Sequence, residues 1–268
     1  MFGFWKKKKT PALNASYIRQ KCGQSTVVFR AVTSTNAILK EYARQDAPDH
    51  TVVVAEAQTE GRGRGEHSFF SPLGTGVYLS VLLRYGEKSF RPADITAAAG
   101  VAACEAIESI SDRECKIKWM NDVYIEGKKV AGILAESGRS DGNSYQKGAY
   151  VVVGVGFNLT HPEGDFPLEF RDRAGVIFDG TAPSLAREKL VNAFVTSLRR
   201  ILSRDSFSLY GAYRDRLFIL EERVEYGGRV ATVSELLSDF RLQLTFDDGS
   251  VALLDSGEVS LMQSFGQT

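Results

Sequence analysis

Residues 61–80 read GRGRGEHSFFSPLGTGVYLS, setting Arg62 and Arg64 among Gly61, Gly63 and Gly65 directly before an apolar run. Glycine lets several backbone N–H groups approach one anion, and arginine adds a permanently charged planar fork that matches phosphate or carboxylate. A local anion site is the chemistry these residues could perform. Two other readings fit the same letters: a flexible solvent loop, and an Arg-Gly contact to RNA, for which the repeat is short. Spacing weakens the two familiar nucleotide readings, because the segment lacks the lysine and Ser/Thr of a phosphate-binding P-loop, and GRGRGE runs toward a strand rather than opening a helix. A second stretch, KWMNDVYIEGKKVAGILAES (118–137), ends one strand at Asn121-Asp122 and begins its return at Lys129. In isolation the Asn-Asp pair reads as a turn and the lysine as a solvated edge charge. Gly132, Gly154 and Gly156 argue for more, since glycine inside a strand marks a close approach to the backbone, such as that of a flat ligand.

Periodicity supplies the elements that must hold these residues. TVVFRAV (26–32) and TVVVAEA (51–57) read as buried strands, with a helix over 34–45 between them. A strand follows at 76–85, then an alanine-rich helix over 92–110 that opens on Pro92. Strands at 115–119, 123–125, 130–136 and 149–159 come next, the middle pair joined by a hairpin around Glu126-Gly127-Lys128. Helices over 184–204 and 208–220 would cover one sheet face. The expected class is α+β, with a mixed β-sheet and helices packed on it. From about Arg223 the chain turns to short strands separated by turn residues, as in a small antiparallel barrel that leans on the larger domain. The expected division is a tail at 1–25, a main domain at 26–221 and a small domain at 222–268.

Composition narrows the classes. A chain of 268 residues with 43% hydrophobic content buries a sizeable core, and 33 basic residues balance 33 acidic ones. No global field draws it to nucleic acid or to an anionic membrane, so any anion site is local. Three cysteines and three histidines form no metal-ligand spacing and no disulfide framework, which fits a reducing cytoplasm. The opening MFGFWKKKKT has its charges after its apolar residues, the reverse of a secretory signal, and reads as a solvated tail or a polybasic contact.

Together, STN at 34–36, EAQTEGRGRGEHSFFSP at 56–72, KWMND with GKKVAGILAE, and GVGFN resemble the ordered motifs of the biotin protein ligases. The resemblance covers roughly residues 27–268, and ALLDSGEVSL (252–261) is similar to the SH3-like barrel that ends these enzymes. It implies an ATP-dependent ligase that joins biotin to AMP, releases pyrophosphate, and passes the biotinyl group to one lysine of a biotin carboxyl carrier domain. Magnesium would arrive with ATP, with no dedicated metal site. The resemblance implies that Lys129 and Arg64 act in catalysis. Ser34, Thr35, Asn36, Gln58, Gly61, Arg62, Lys129, Gly132, Gly154 and Gly156 would meet biotin. Arg62, Arg64, Phe69, Asn121, Asp122, Lys129 and Asn158 would meet ATP and the adenylate. Ser34 and Thr35 also fit an ordinary helix cap, and Phe69 also fits a core position. The glycine-arginine loop would close over the mixed anhydride and keep water from it.

Glu66 and His67 stand where the family commonly has a glycine and a basic residue, and Met120 where proline is frequent. The short segment before the first strand implies a form without an N-terminal DNA-binding domain, hence no nucleic-acid partner. Strands such as VVVGVGFN at a sheet edge would let two copies pair as a homodimer. Two alternatives remain open at this level: a lipoate or octanoate ligase or transferase, and a noncatalytic biotin-binding sensor.

Overall fold

The computed structural model describes residues 12–262 apart from 24, 66, 87–89, 141–146, 204 and 258. Glu66 and the basic stretch of the tail therefore lie outside the described residues. The first element of the described residues is α1 (Ala15–Cys22), which the sequence reading had placed inside a tail. Asn14 caps it by accepting from the Tyr17 N–H, and Ile18 and Cys22 are buried. A helix of eight residues carries too short a period to stand out in sequence.

Seven strands form the main sheet: β1 (Thr26–Phe29), β2 (Val52–Ala55), β3 (Gly76–Gly86), β4 (Lys116–Lys118), β5 (Asp122–Ile125), β6 (Lys128–Ser140) and β7 (Gly148–Asn158). Their spatial order is β1-β2-β3-β7-β6-β5-β4. Only β1 and β2 run parallel, joined by α2 (Thr35–Arg44); the remaining pairs are antiparallel, so the sheet is mixed as expected. Glu126 and Gly127 both have positive φ, which the tight β5–β6 hairpin turn requires.

Strand β7 is central, with long ladders to both β3 and β6. The expectation that VVVGVGFN could pair two copies at a sheet edge is thereby corrected, because its backbone N–H and C=O groups are already engaged on both sides.

Alternation along the strands separates two faces. Val77, Leu79, Val81, Val153 and Phe157 point into the main core, where α3 (Pro92–Glu108) and α5 (Ala186–Leu202) pack. Gly100 lets α3 approach the sheet, since a Cβ there would meet Ile117 Cδ1 at 3.3 Å. The opposite face carries a smaller cluster of Leu39, Ala43, Val53, Leu82 and Val152 under α2. The rest of that face, beyond α2, is the site.

A short α4 (Leu168–Arg171) and α6 (Ser206–Arg214) complete the helices. A second, antiparallel sheet comprises β8 (Arg223–Tyr226), β9 (Arg229–Leu236), β10 (Leu242–Phe246), β11 (Val251–Leu254) and β12 (Ser260–Leu261), in the order β11-β10-β9-β8-β12. It is the small SH3-like unit, and it leans on the main domain as anticipated. Phe240 is almost fully buried against Tyr213, with ring centroids 5.4 Å apart, and its carbonyl accepts from Trp119 Nε1 at 2.8 Å.

Candidate functional site

Strand register builds the site floor. Tyr78, Gly156, Gly132 and Asp122 pair successively across four strands, and Ser80, Gly154 and Leu134 form the next row. Side chains of both rows stand on the face that α2 leaves uncovered. The glycines had implied a close approach, and what approaches here belongs to the protein itself. A Cβ on Gly154 would lie 2.2 Å from Asn36 Oδ1, and one on Gly156 would lie 2.5 Å from the Phe69 ring. Gly132 likewise accommodates Phe69 and the end of Lys129.

Lys129 reaches this face through a β-bulge. Val123 pairs with Ala131 but Tyr124 pairs with Lys129, so β6 carries one extra residue. Val130 thus turns into the core, while Lys129, at an odd spacing from Gly132, joins it on the site face. Lys129 Nζ lies 2.7 Å from Asp122 Oδ1 and 6.0 Å from the centre of the Phe69 ring.

Two adjoining cavities open on the floor. The larger encloses about 450 Å³ and gathers Arg62, Arg64, Phe69, Asn121, Asp122, Lys129 and Asn158, every residue expected to meet a nucleotide. The smaller gathers Ser34, Thr35, Asn36, Gln58, Arg62, Gly132, Gly154 and Gly156, nearly all those expected to meet biotin. Arg62, Phe69 and Gly132 line both and mark the junction. Gly61 lines neither. A Cβ there would sit 2.3 Å from the Phe69 carbonyl oxygen, so it serves the tight pass of the loop.

That loop is a small hairpin: the Gly63 N–H donates to His67 O at 2.7 Å, and the Phe69 N–H to Gly61 O at 2.9 Å. Arg64 donates from one nitrogen to Asn121 Oδ1 at 3.3 Å and to Gly257 O at 3.2 Å. The connection between β11 and β12 of the small C-terminal unit thus contributes Gly257 to the rim of the larger cavity.

Around the smaller cavity, Ser34 caps α2 and the next two residues turn inward. Gln58 Oε1 accepts from the Thr35 N–H at 2.8 Å, and Gln58 Nε2 donates to Ser71 Oγ at 3.1 Å. Asn36 Nδ2 donates to Leu134 O and to Glu136 Oε2, and Lys40 Nζ pairs with the other oxygen of Glu136 at 2.6 Å. Burial pushes the Glu136 carboxyl up, but hydrogen bonds from Lys40 and Asn36, helped by the charges of Lys40 and Arg62, hold it below its ordinary value of 4.5. Its contribution to stability is therefore present above pH 4.5 and is lost as pH falls through the depressed folded value. Glu136→Gln should remove that contribution. The stability gap between the native chain and this variant, followed by denaturant titration, should be level above pH 5 and shrink below about pH 4; a gap unchanged down to pH 3 would refute it.

Several lining residues escaped sequence reasoning. Phe166, Phe170 and Arg173 come from a segment between β7 and α5 whose letters show no period. Its backbone is nonetheless fixed beside the site, with the Lys129 N–H donating to Arg173 O and the Gly175 N–H to Lys129 O, both at 2.8 Å. Lys118, Trp119 and Tyr124 also face the larger cavity. Ser80 lines neither cavity but is fully buried against Thr35 and Asn36, and the sequence reading does not include it; a lone hydroxyl in the apolar run GVYLSVLL was the signal available.

The fold and site together define an α+β protein with adjoining pockets, one lined by hydroxyls and amides, the other by cations and aromatic rings. Residues 28–158 match the model of the biotin/lipoate A/B protein ligase family, and the chain belongs to that family. The Bacillus subtilis bifunctional ligase/repressor BirA is 32% identical over 189 residues, covering 69% of this chain and 57% of that protein. A biotin--[acetyl-CoA-carboxylase] ligase of Mycobacterium tuberculosis is 35% identical over 132 residues, 47% of this chain and 46% of that one. The chain thus spans about half the length of these curated relatives. The structure of a biotin protein ligase from Aquifex aeolicus in complex with biotin and ATP superposes with a TM-score of 0.71 at 26% identity, covering 90% of this chain and 100% of that one.

Proposed function

We propose that this protein is a biotin protein ligase. A biotin carboxylate oxygen attacks the α-phosphorus of ATP, the α–β phosphoanhydride breaks, and pyrophosphate leaves. The neutral amine of one lysine on a biotin carboxyl carrier domain then attacks the acyl carbon of the mixed anhydride. An amide forms, AMP departs, and the amine loses its proton to solvent.

The observation that carries this reading is the junction of the two cavities at Arg62, Phe69 and Gly132. A reaction that welds two ligands needs their reacting ends to meet, and both ends here are anionic. Lys129 stands at the junction, its Nζ 3.3 Å from where a Gly132 Cβ would be. Its charge offsets the repulsion as carboxylate and phosphate approach. Arg62 and Arg64 bring further positive charge, and magnesium enters with the triphosphate as part of the substrate. Ser34, Thr35 and Gln58 suit the polar ring of biotin, and Asn121, Asp122 and Asn158 belong with the nucleotide. Phe69, lying over Gly132 and Gly156, caps the junction and shields the mixed anhydride from water.

Intact mass of a biotin carboxyl carrier domain after incubation with the protein, biotin and magnesium ATP tests the reading. A biotinyl gain supports it. No gain, with modification of a lipoyl domain by lipoate or octanoate instead, would replace it with the related acyl transfer. Biotin binding without ATP consumption would make the protein a sensor.

The loop adds a second expectation. If the hairpin holding Arg62 and Arg64 loosens and tightens with ligand, trypsin should cleave there in the free protein and much more slowly with biotin and ATP present. Equal rates in both states would remove the closing role.

A further inference from the structure

Ser80 belongs to no expected set of site residues, yet its hydroxyl joins both halves of the smaller cavity. Its Oγ lies 2.6 Å from Asn36 Oδ1 and 2.8 Å from Thr35 Oγ1. One hydroxyl has one hydrogen, so it cannot donate to both. Both Asn36 Nδ2 hydrogens are engaged, at 3.2 Å from Leu134 O and 2.8 Å from Glu136 Oε2, and this assigns Oδ1 to the Ser80 side. A carboxamide oxygen only accepts. Ser80 therefore donates to Asn36, and its contact with Thr35 is a hydrogen bond only if Thr35 donates.

The Thr35 hydrogen then lies between Ser80 Oγ and Gln58 Oε1, the latter at 3.2 Å, and both are parts of the protein. Thr35 Oγ1 keeps only lone pairs for a ligand. Ser34 is the complement. Its Oγ accepts from the Ala37 N–H at 3.5 Å, and among the described residues its own hydrogen has no acceptor. The cavity therefore offers one hydroxyl donor beside one hydroxyl acceptor, both buried. A group with a carbonyl next to an N–H satisfies both; a dithiolane or an alkyl chain satisfies neither.

We propose that Ser80 is a positioning residue that sets ligand specificity, holding Thr35 as an obligate acceptor and Asn36 flat over Gly154, so that the cavity selects the ureido ring. This rests on the biotin ligase reading and adds to it a residue that touches no ligand. Without the Ser80 hydroxyl, Thr35 loses one of its two acceptors and can turn its hydrogen toward the ligand. The cavity then no longer separates a ligand N–H from a ligand oxygen.

The test measures affinity for biotin and for the two analogues in which one or the other ring N–H is replaced by oxygen, by calorimetry on the native protein and on Ser80→Ala. The native protein should reject the poorer analogue by roughly a hundredfold, because a buried acceptor left unpaired is costly. In Ser80→Ala, biotin binding should weaken roughly tenfold and the discrimination should fall to within about tenfold, while kcat at saturating biotin stays near native. Equal weakening for biotin and both analogues, with discrimination intact, is the result of a merely structural role and overturns the proposal. Should Ser80→Ala not fold, Ser80→Cys keeps the shape with a weaker donor and must also narrow the discrimination; an unchanged ratio there overturns it too. Native protein that fails to bind biotin at all would instead bring down the underlying reading, and this inference with it.

Discussion

Lys129→Ala should still bind biotin but form the adenylate about 100- to 1000-fold more slowly, the usual cost of removing one preorganised donor from a developing charge. The lysine is not a solvated edge charge. The bulge in β6 turns it onto the site face, its backbone N–H and C=O are both bonded to the 173–175 segment, and Asp122 holds its ammonium at 2.7 Å. It is thus oriented before either substrate arrives, so little reorganisation accompanies the reaction. Its loss would also leave the Asp122 carboxylate unneutralised where the phosphates are proposed to bind. Lys129→Ala with Asp122→Asn should therefore recover part of the rate that the single change loses, a non-additivity expected of groups in contact. Biotin-dependent exchange of labelled pyrophosphate into ATP reads the first half-reaction alone. Near-native exchange in Lys129→Ala would end the catalytic assignment.

Much of this architecture is legible in the letters because it follows period and punctuation. Strands such as TVVV and GVYLSVLL have nowhere to go but a core, Pro92 opens α3, and Glu126-Gly127 makes the hairpin turn. The candidate residues come together because their motifs sit at strand ends and α2's start, which the sheet order brings side by side. What stayed hidden depends on pairing that single-chain periodicity does not encode. The bulge at Val130 is a register event between two strands, so the face of Lys129 could not be read from its spacing to Gly132. The central place of β7 depends on which strands flank it, and so a strand taken for an edge proved to be fully paired. The Phe166–Arg173 wall is held by backbone bonds to Lys129 and not by any pattern of its own. Ser80 takes its meaning from neighbours 44 and 45 residues away.

Gly154→Ala isolates the strand-glycine signal, and its expected result is a folded protein whose affinity for biotin falls by on the order of tenfold to a hundredfold, the range for an extra methyl in a packed site. The new Cβ would lie 2.2 Å from Asn36 Oδ1, and the carboxamide is not free to retreat. Ser80, Leu134 O and Glu136 fix it from three directions. It must leave that network, and the cavity wall moves with it. Gly156→Ala differs in kind: there the methyl meets the Phe69 ring at 2.5 Å, a side chain on a loop with more freedom to shift. If Asn36 transmits the effect, Asn36→Ala should weaken biotin by itself, and adding Gly154→Ala to it should cost little more, because the obstructing group is gone. Full additivity of the two changes would mean that a ligand, and not Asn36, is what needs the bare backbone at Gly154. Calorimetric titration of the two single variants and the double variant decides between these outcomes. The strand glycine then has one assignable cause, either an internal side chain or a ligand.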